Sequence, residues 1–363
     1  MSEGAATLPR AVLPRRSRPW RLLWLALAAA VLCYLPVVLN DRAILGVRLS
    51  NMQLLNIGLT QTNLMLITLL GALSLNYLTG IAGLVSIGHA AFYALGAMAG
   101  AVFGTQLGLP FPVVLAASAV VGAAGGVVAG LPSLRVRGLY FVLSTFALHY
   151  IVVFALSEYQ FRVFDVSGIP FEEADLGPWA LDTPLRWYFF LLALCALVYL
   201  GLRNSLRSRE GRALMATRDH ELAASSAGID VRIIRLKVFA LSSAIAAVAG
   251  TLYSYYMTNV NAEFFSINFA IQFVAIIIIG GMGSLAGSLV GSAVWLLLPA
   301  VITGLAANAG SGDSAVGAFL TENKPQLVNL IFGGMVVVLL IFAPEGLAGI
   351  GRTLGRRLGR DAT

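Results

Sequence analysis

Charge is scarce in this chain: 11% of its 363 residues are Asp, Glu, Lys or Arg, whereas 58% are hydrophobic. Soluble domains carry roughly 25% charged residues, so a water-soluble globular fold is excluded, and the mean hydropathy of +0.85 agrees. Cysteine and histidine are scarcer still. Cys33 and Cys195 lie in separate apolar runs with no partner at metal-ligand or redox spacing, and the three histidines are scattered, so no metal site is expected. Catalytic signatures are missing as well. No GxxxxGK[ST] phosphate loop occurs; "GAAGGVVAG" (122–130) has the glycines but no lysine, and it lies in an apolar run. There is no HExxH helix, no GxSxG elbow, and no intramembrane carboxylate cluster of the kind that proton- or sodium-coupled carriers need. The chain is therefore expected not to be an enzyme, to bind no cofactor itself, and to lack the means to power transport alone. His89 and His149 are the candidates for buried titrating groups, and for each a neutral hydrogen-bonded packing histidine is the simpler reading.

What is abundant is apolar sequence in runs long enough to cross a bilayer. They fall at roughly 22–40, 54–78, 88–105, 112–130, 139–157, 185–202, 236–258, 267–281, 286–303 and 326–343. The expected fold is all-α, a polytopic transmembrane helical bundle of about ten spans with a polar cytoplasmic loop. The first run, "LLWLALAAAVLCYLPVVL", follows a basic tail and resembles a signal peptide, but its length and the lack of a small-residue cleavage site make it an uncleaved span. Around 44–62 the sequence is too polar for an ordinary lipid-facing helix, and glycines interrupt the run at 267–303.

The basic residues set the orientation. Ten spans beginning inside place a basic tail (1–21), the segment 131–138, a loop at 203–235 and a second basic tail (344–363) in the cytoplasm. Counting Lys237 with the loop, these segments hold 19 of the 24 Lys and Arg. The longest outer loop, 157–184, carries six acids against Arg162 alone; its acids and Trp179 either dock a partner or are simply solvated. Arg42 and Arg48 fall on the wrong side. The net charge of +7 thus reads as membrane orientation among lipid, not as a nucleic-acid surface.

Glycine is patterned. Gly96, Gly100 and Gly104, then Gly122, Gly126 and Gly130, then Gly283, Gly287 and Gly291 each form a GxxxGxxxG line on one helix face, the spacing that lets helix backbones approach closely. A weak internal repeat is also visible. "GIAGLVSIGHAAFYALGA" from Gly80 and "GGMGSLAGSLVGSA" from Gly280 both open with GxxG and pass into a glycine-lined helix, and both start on the cytoplasmic side, making the repeat parallel.

One polar stretch interrupts this lipid-like composition: "GRALMATRDHELAASSAGIDVRIIRLK", Gly211 to Lys237. Asp219 and Glu221 are expected in the first turn of a short helix that ends at Gly228. Leu214, Met215 and Leu222 would enter a partner's groove, with Arg212, Arg218 and Arg232 offering charge-assisted hydrogen bonds.

Extended to "VFALSSAIAAVAGTLY", this stretch resembles the coupling segment of the permease subunits of branched-chain amino acid ABC transporters. "GLVSIGHAAFYALGA" from Gly83, "LPSLRVRGLYFVLSTFA" from Leu131 and "IIIIGGMGSLAGSLVGSAVWLLLP" from Ile276 match further motifs of that family, in the family's order, over residues 76–300. The resemblance implies a permease domain at 22–343 in a bacterial inner membrane, with two ATP-binding subunits below, a second related permease beside it and an extracytoplasmic substrate-binding protein above. ATP and Mg would then be held by the ATPase subunits. By position, Gly211, Arg212, Arg218, Glu221 and Gly228 match the coupling segment, and Asn76, Ser86 and His89 match the motif near the translocation path. Urea and short-chain amide relatives tend to carry glutamine where this chain has His89, which points to amino acids with aliphatic side chains. The competing expectations are the same transporter type for urea or amides, and a stand-alone channel or carrier for a small neutral solute.

Overall fold

The computed structural model describes residues 58–136, 138–164, 168–171, 174–175, 180–308, 319, 322–343 and 346–349. The first span, both basic tails apart from 346–349, Arg42, Arg48, Cys33 and Trp179 lie outside them. All nine remaining expected spans are helices. They are α1 (Leu59–Leu75), α2 (His89–Gly100), α3 (Phe111–Gly130), α4 (Leu139–Val163), α5 (Pro184–Arg207), α8 (Val231–Met257), α9 (Ile267–Gly280), α10 (Leu285–Asn308) and α11 (Lys324–Phe342). Between α5 and α8 lie two further helices, α6 (Arg209–Asp219) and α7 (Glu221–Ser226). The only sheet among the described residues is a two-stranded ribbon of β1 (Ile169–Pro170) and β2 (Asn259–Val260), paired Ile169 to Val260 and Pro170 to Asn259.

Local chemistry marks the starts of these helices. Proline occupies the first turn of α3 and of α5, where its missing N–H would have no helical partner anyway. Asp230 Oδ1 caps α8 by accepting from the amides of Arg232 (3.0 Å) and Ile233 (3.3 Å). Two helices loosen at one end: α1 runs into a π-helical turn over Asn76–Ile81, and α2 into another over Ala101–Gln106.

Among the described residues, seven helices are long and apolar enough to cross a bilayer. The expected spans at 88–105 and 267–281 are not among them: α2 has 12 residues before its π turn, and α9 has 14, about 21 Å of helix against a hydrocarbon core of about 30 Å. Other boundaries also move: the helix expected to end at 157 continues to Val163, so Glu158 and Arg162 form an exposed ion pair on the helix and not in a loop.

The bundle is organised around α1 and α8. In the most apolar window of α1 and its π turn, 89% of the residues are buried, compared with 11% for α11. α8 packs most extensively against α3 and α2. The outward faces carry large apolar side chains such as Tyr140, Phe154, Leu330 and Phe342, which lipid, not water, would solvate. At one end of the bundle the β ribbon, the start of α1 and the start of α5 meet, with Asn63 Nδ2 donating to the Pro184 carbonyl at 2.8 Å. At the other end lie α6, α7 and both GxxG turns.

Candidate functional site

The glycine lines meet α8 from two sides. A Cβ at Gly96 would fall on the Ala247 backbone, one at Gly100 on Thr251 and one at Gly104 on Tyr255, so this face of α2 follows a four-residue stripe of α8. Across it, Gly122, Gly126 and Gly130 of α3 approach Ala247, Ser243 and Phe239. The closeness permits a bond between helices, with Thr251 Oγ1 donating to the Gly96 carbonyl at 2.8 Å. In the third line, a Cβ at Gly287 or Gly291 would strike the carbonyls of α9 at Gly280 or Ile276.

The polar loop folds back on the bundle. Ser208 caps α6, its Oγ accepting from the Gly211 amide at 3.2 Å. A break at His220, in extended backbone, then separates α6 from α7. Asp219 therefore closes the first helix and does not open the second, because the capped helix is longer than expected; Glu221 does stand in the first turn of α7. Gly228 ends α7 with φ +81, while its amide and that of Ile229 donate to the carbonyls of Ser225 and Ala224, the Schellman arrangement that favours glycine. Leu214 is 2% exposed and faces the bundle, whereas Met215 and Leu222 are 41% and 79% exposed. Glu221 is paired at 2.9 Å with Arg235 at the start of α8, Glu210 pairs with Lys237, and Arg212 Nη1 donates to the Arg207 carbonyl at 3.0 Å.

Arg218 turns inward. Its Nη1 donates to the carbonyls of Gly80 at 2.9 Å and Ile81 at 3.4 Å, at the end of the π turn. Five residues back, Asn76 is fully buried and joins the first GxxG turn to the second. Its Nδ2 donates to the Ser284 carbonyl and to Ser288 Oγ, both at 2.9 Å, while its Oδ1 accepts from the Gly283 amide at 2.8 Å. Sequence reasoning named Asn76, and Gly80 only as the start of a GxxG motif; Ser284 and Ser288 went unnamed, although the paired GxxG motifs were the signal that led there.

His89 and Ser86 lie just beyond this joint, both buried. Ser74 Oγ lies 2.8 Å from His89 Nε2 and 2.7 Å from the Gly71 carbonyl. A hydroxyl has one hydrogen, and the carbonyl can only accept, so Nε2 is the donor to Ser74. That leaves His89 Nδ1 without a protein partner, as is Ser86 Oγ. Cys195 is buried and gives its thiol to the Leu66 carbonyl at 3.3 Å. The region binds helices together through close glycine contacts and the bonds of Asn76, Arg218 and Thr251.

The family described as branched-chain amino acid transport system / permease component matches residues 58–340. The chain belongs to this permease family. Over 308 residues the permease is 30% identical to the high-affinity branched-chain amino acid transport system permease protein LivM of Escherichia coli (strain K12), covering 78% of this chain and 68% of that relative. With the LivM protein of Salmonella typhimurium it shares 31% identity over 310 residues, 79% of this chain and 68% of the relative. A probable branched-chain amino acid transport permease protein LivH of Methanocaldococcus jannaschii is 32% identical over 156 residues, 42% of this chain and 45% of the relative. No solved structure matches the permease. It is a multi-pass membrane transport component, not an enzyme.

Proposed function

We propose that this permease is the membrane subunit of an ATP-binding-cassette importer for branched-chain, aliphatic amino acids. It has no nucleotide site of its own, and two ATPase subunits drive it by docking on α6 and α7. A second, related permease stands beside it, and an extracytoplasmic binding protein delivers the substrate at the β-ribbon end. It resides in a bacterial plasma membrane with both termini in the cytoplasm, the orientation favoured by the basic residues. The family match across 58–340 carries this reading. The exposed Leu222 and Met215 on an otherwise polar loop supply an apolar docking point.

Substrate passes beside the segment 86–89 when the bundle opens. There Ser86 Oγ and His89 Nδ1 offer polar groups without protein partners, and the surrounding alanines and aromatics suit an aliphatic tail. Asn76 borders this path at the joint between the two turns, with its amide held by Gly283, Ser284 and Ser288.

Co-purification from the native membrane tests the assembly. The intact permease is expected to bring two ATPases and a second permease, and Leu222→Asp to lose the ATPases. Reconstituted with all partners, it should take up labelled leucine, isoleucine or valine only with ATP, without competition from urea. A chain that purifies alone and moves solute in vesicles by itself would overturn the proposal.

A further inference from the structure

We infer that Arg218 is the positioning residue through which displacement of the α6–α7 loop reaches a joint made of the two repeated GxxG turns. The inference rests on the reading that ATPases dock on this loop, and it names the side chain that carries their motion onward.

The two turns each close on a glycine with positive φ. Gly83 closes the first with φ +75 and Gly283 the second with φ +81, each followed within six residues by the start of a helix. Arg218 meets both. Its stem lies across Gly83, where a Cβ would come 3.1 Å from Arg218 Cγ, and its Nη1 lies 3.8 Å from the Cβ position of Gly283. The same Nη1 holds the Gly80 carbonyl at 2.9 Å. This carbonyl belongs to the π turn, where the bonding pattern shifts so that the Ala82 amide donates to Tyr77. Because α1 ends here, the cation also faces the negative end of the helix dipole.

Asn76 makes the two turns one body, since its amide is spent on Gly283, Ser284 and Ser288. Moving the first turn therefore moves the second. Beside the apolar contact of the buried Leu214, the other ionic link from α6 to the bundle is the Glu210–Lys237 pair, whose side chains are 61% and 57% exposed, and exposed pairs of this kind hold weakly. Glu221 and Arg235 bind α7 to α8. Arg218 thus joins the loop to a place where both repeats touch.

The test uses the complete transporter with its ATPases, second permease and binding protein, and reads substrate moved per ATP hydrolysed alongside the ATPases retained. Arg218→Ala should keep the ATPases while the ratio falls roughly tenfold, within the range usual for coupling between sites. Arg218→Lys should restore part of it, because an ammonium can still donate to the Gly80 carbonyl. Gly83→Ala keeps the Arg218 side chain but crowds its stem and strains the turn at φ +75, and it should uncouple in the same direction; it stands in as the test if Arg218→Ala does not accumulate. An unchanged ratio in both variants would overturn the inference, as would loss of the ATPases from Arg218→Ala, which would make Arg218 a docking residue. If the unaltered permease retained no ATPases, the assembly reading itself would have failed, a different result from either.

Discussion

Single glycines carry much of this architecture, and their neighbours decide what a substitution does. Gly96→Val would drive a side chain into the Ala247 backbone, which has no rotamer with which to yield, and overpacking of this kind costs about 1–3 kcal/mol or more. Gly201 meets nothing within 4 Å, so Gly201→Ala should leave stability unchanged. Thermal unfolding of the two variants in detergent checks the contrast: a clear drop for the first and none for the second. The spacing of these glycines was legible in the sequence as a face, but what the face meets was not. One-dimensional periodicity shows that residues 96, 100 and 104 align; it does not show that the stripe at 247, 251 and 255 of α8 receives them. Asn76 was similarly visible as a polar residue in an apolar run, while its partners lie more than 200 residues further along the chain.

At the scale of elements, the polar loop shows where a capped short helix can stand. α7 has six residues, far below the length at which a helix is stable alone, so its contacts must hold it. The Glu221–Arg235 pair, with side chains 24% and 13% exposed, is the strongest of these among the described residues. Glu221→Ala should release α7, and amide exchange over residues 221–229 should quicken while α8 stays protected. If exchange were unchanged, the Schellman end at Gly228 would suffice by itself. The sequence showed the stop at Gly228 correctly because glycine chemistry is local. It misplaced Asp219 because the cap that lengthens α6, Ser208, lies outside the stretch that drew attention. For α9, the expected bounds of 267–281 were already too short for the bilayer, and the helix ends at Gly280, one residue inside them.

Taken whole, the permease alternates its helices between two ends, with α6 and α7 at one and the β ribbon at the other. In a background with Cys33 and Cys195 replaced by serine, Leu222→Cys should react with a membrane-impermeant maleimide in inside-out vesicles only, and Asp182→Cys in intact cells only. Labelling of both from one side would refute the alternation, and the reverse pattern would invert the orientation. The burial of α1 and the shortness of α9 bear on how the protein is made. A ribosome delivers α1 long before α8, α10 and α11 exist, yet α1 packs on both α8 and α10. α9 cannot hold a stable place across lipid by itself. Biogenesis must therefore leave the central helix waiting at the membrane, with its final neighbours added from the C-terminal half, and a chain truncated after α5 should be inserted but never mature.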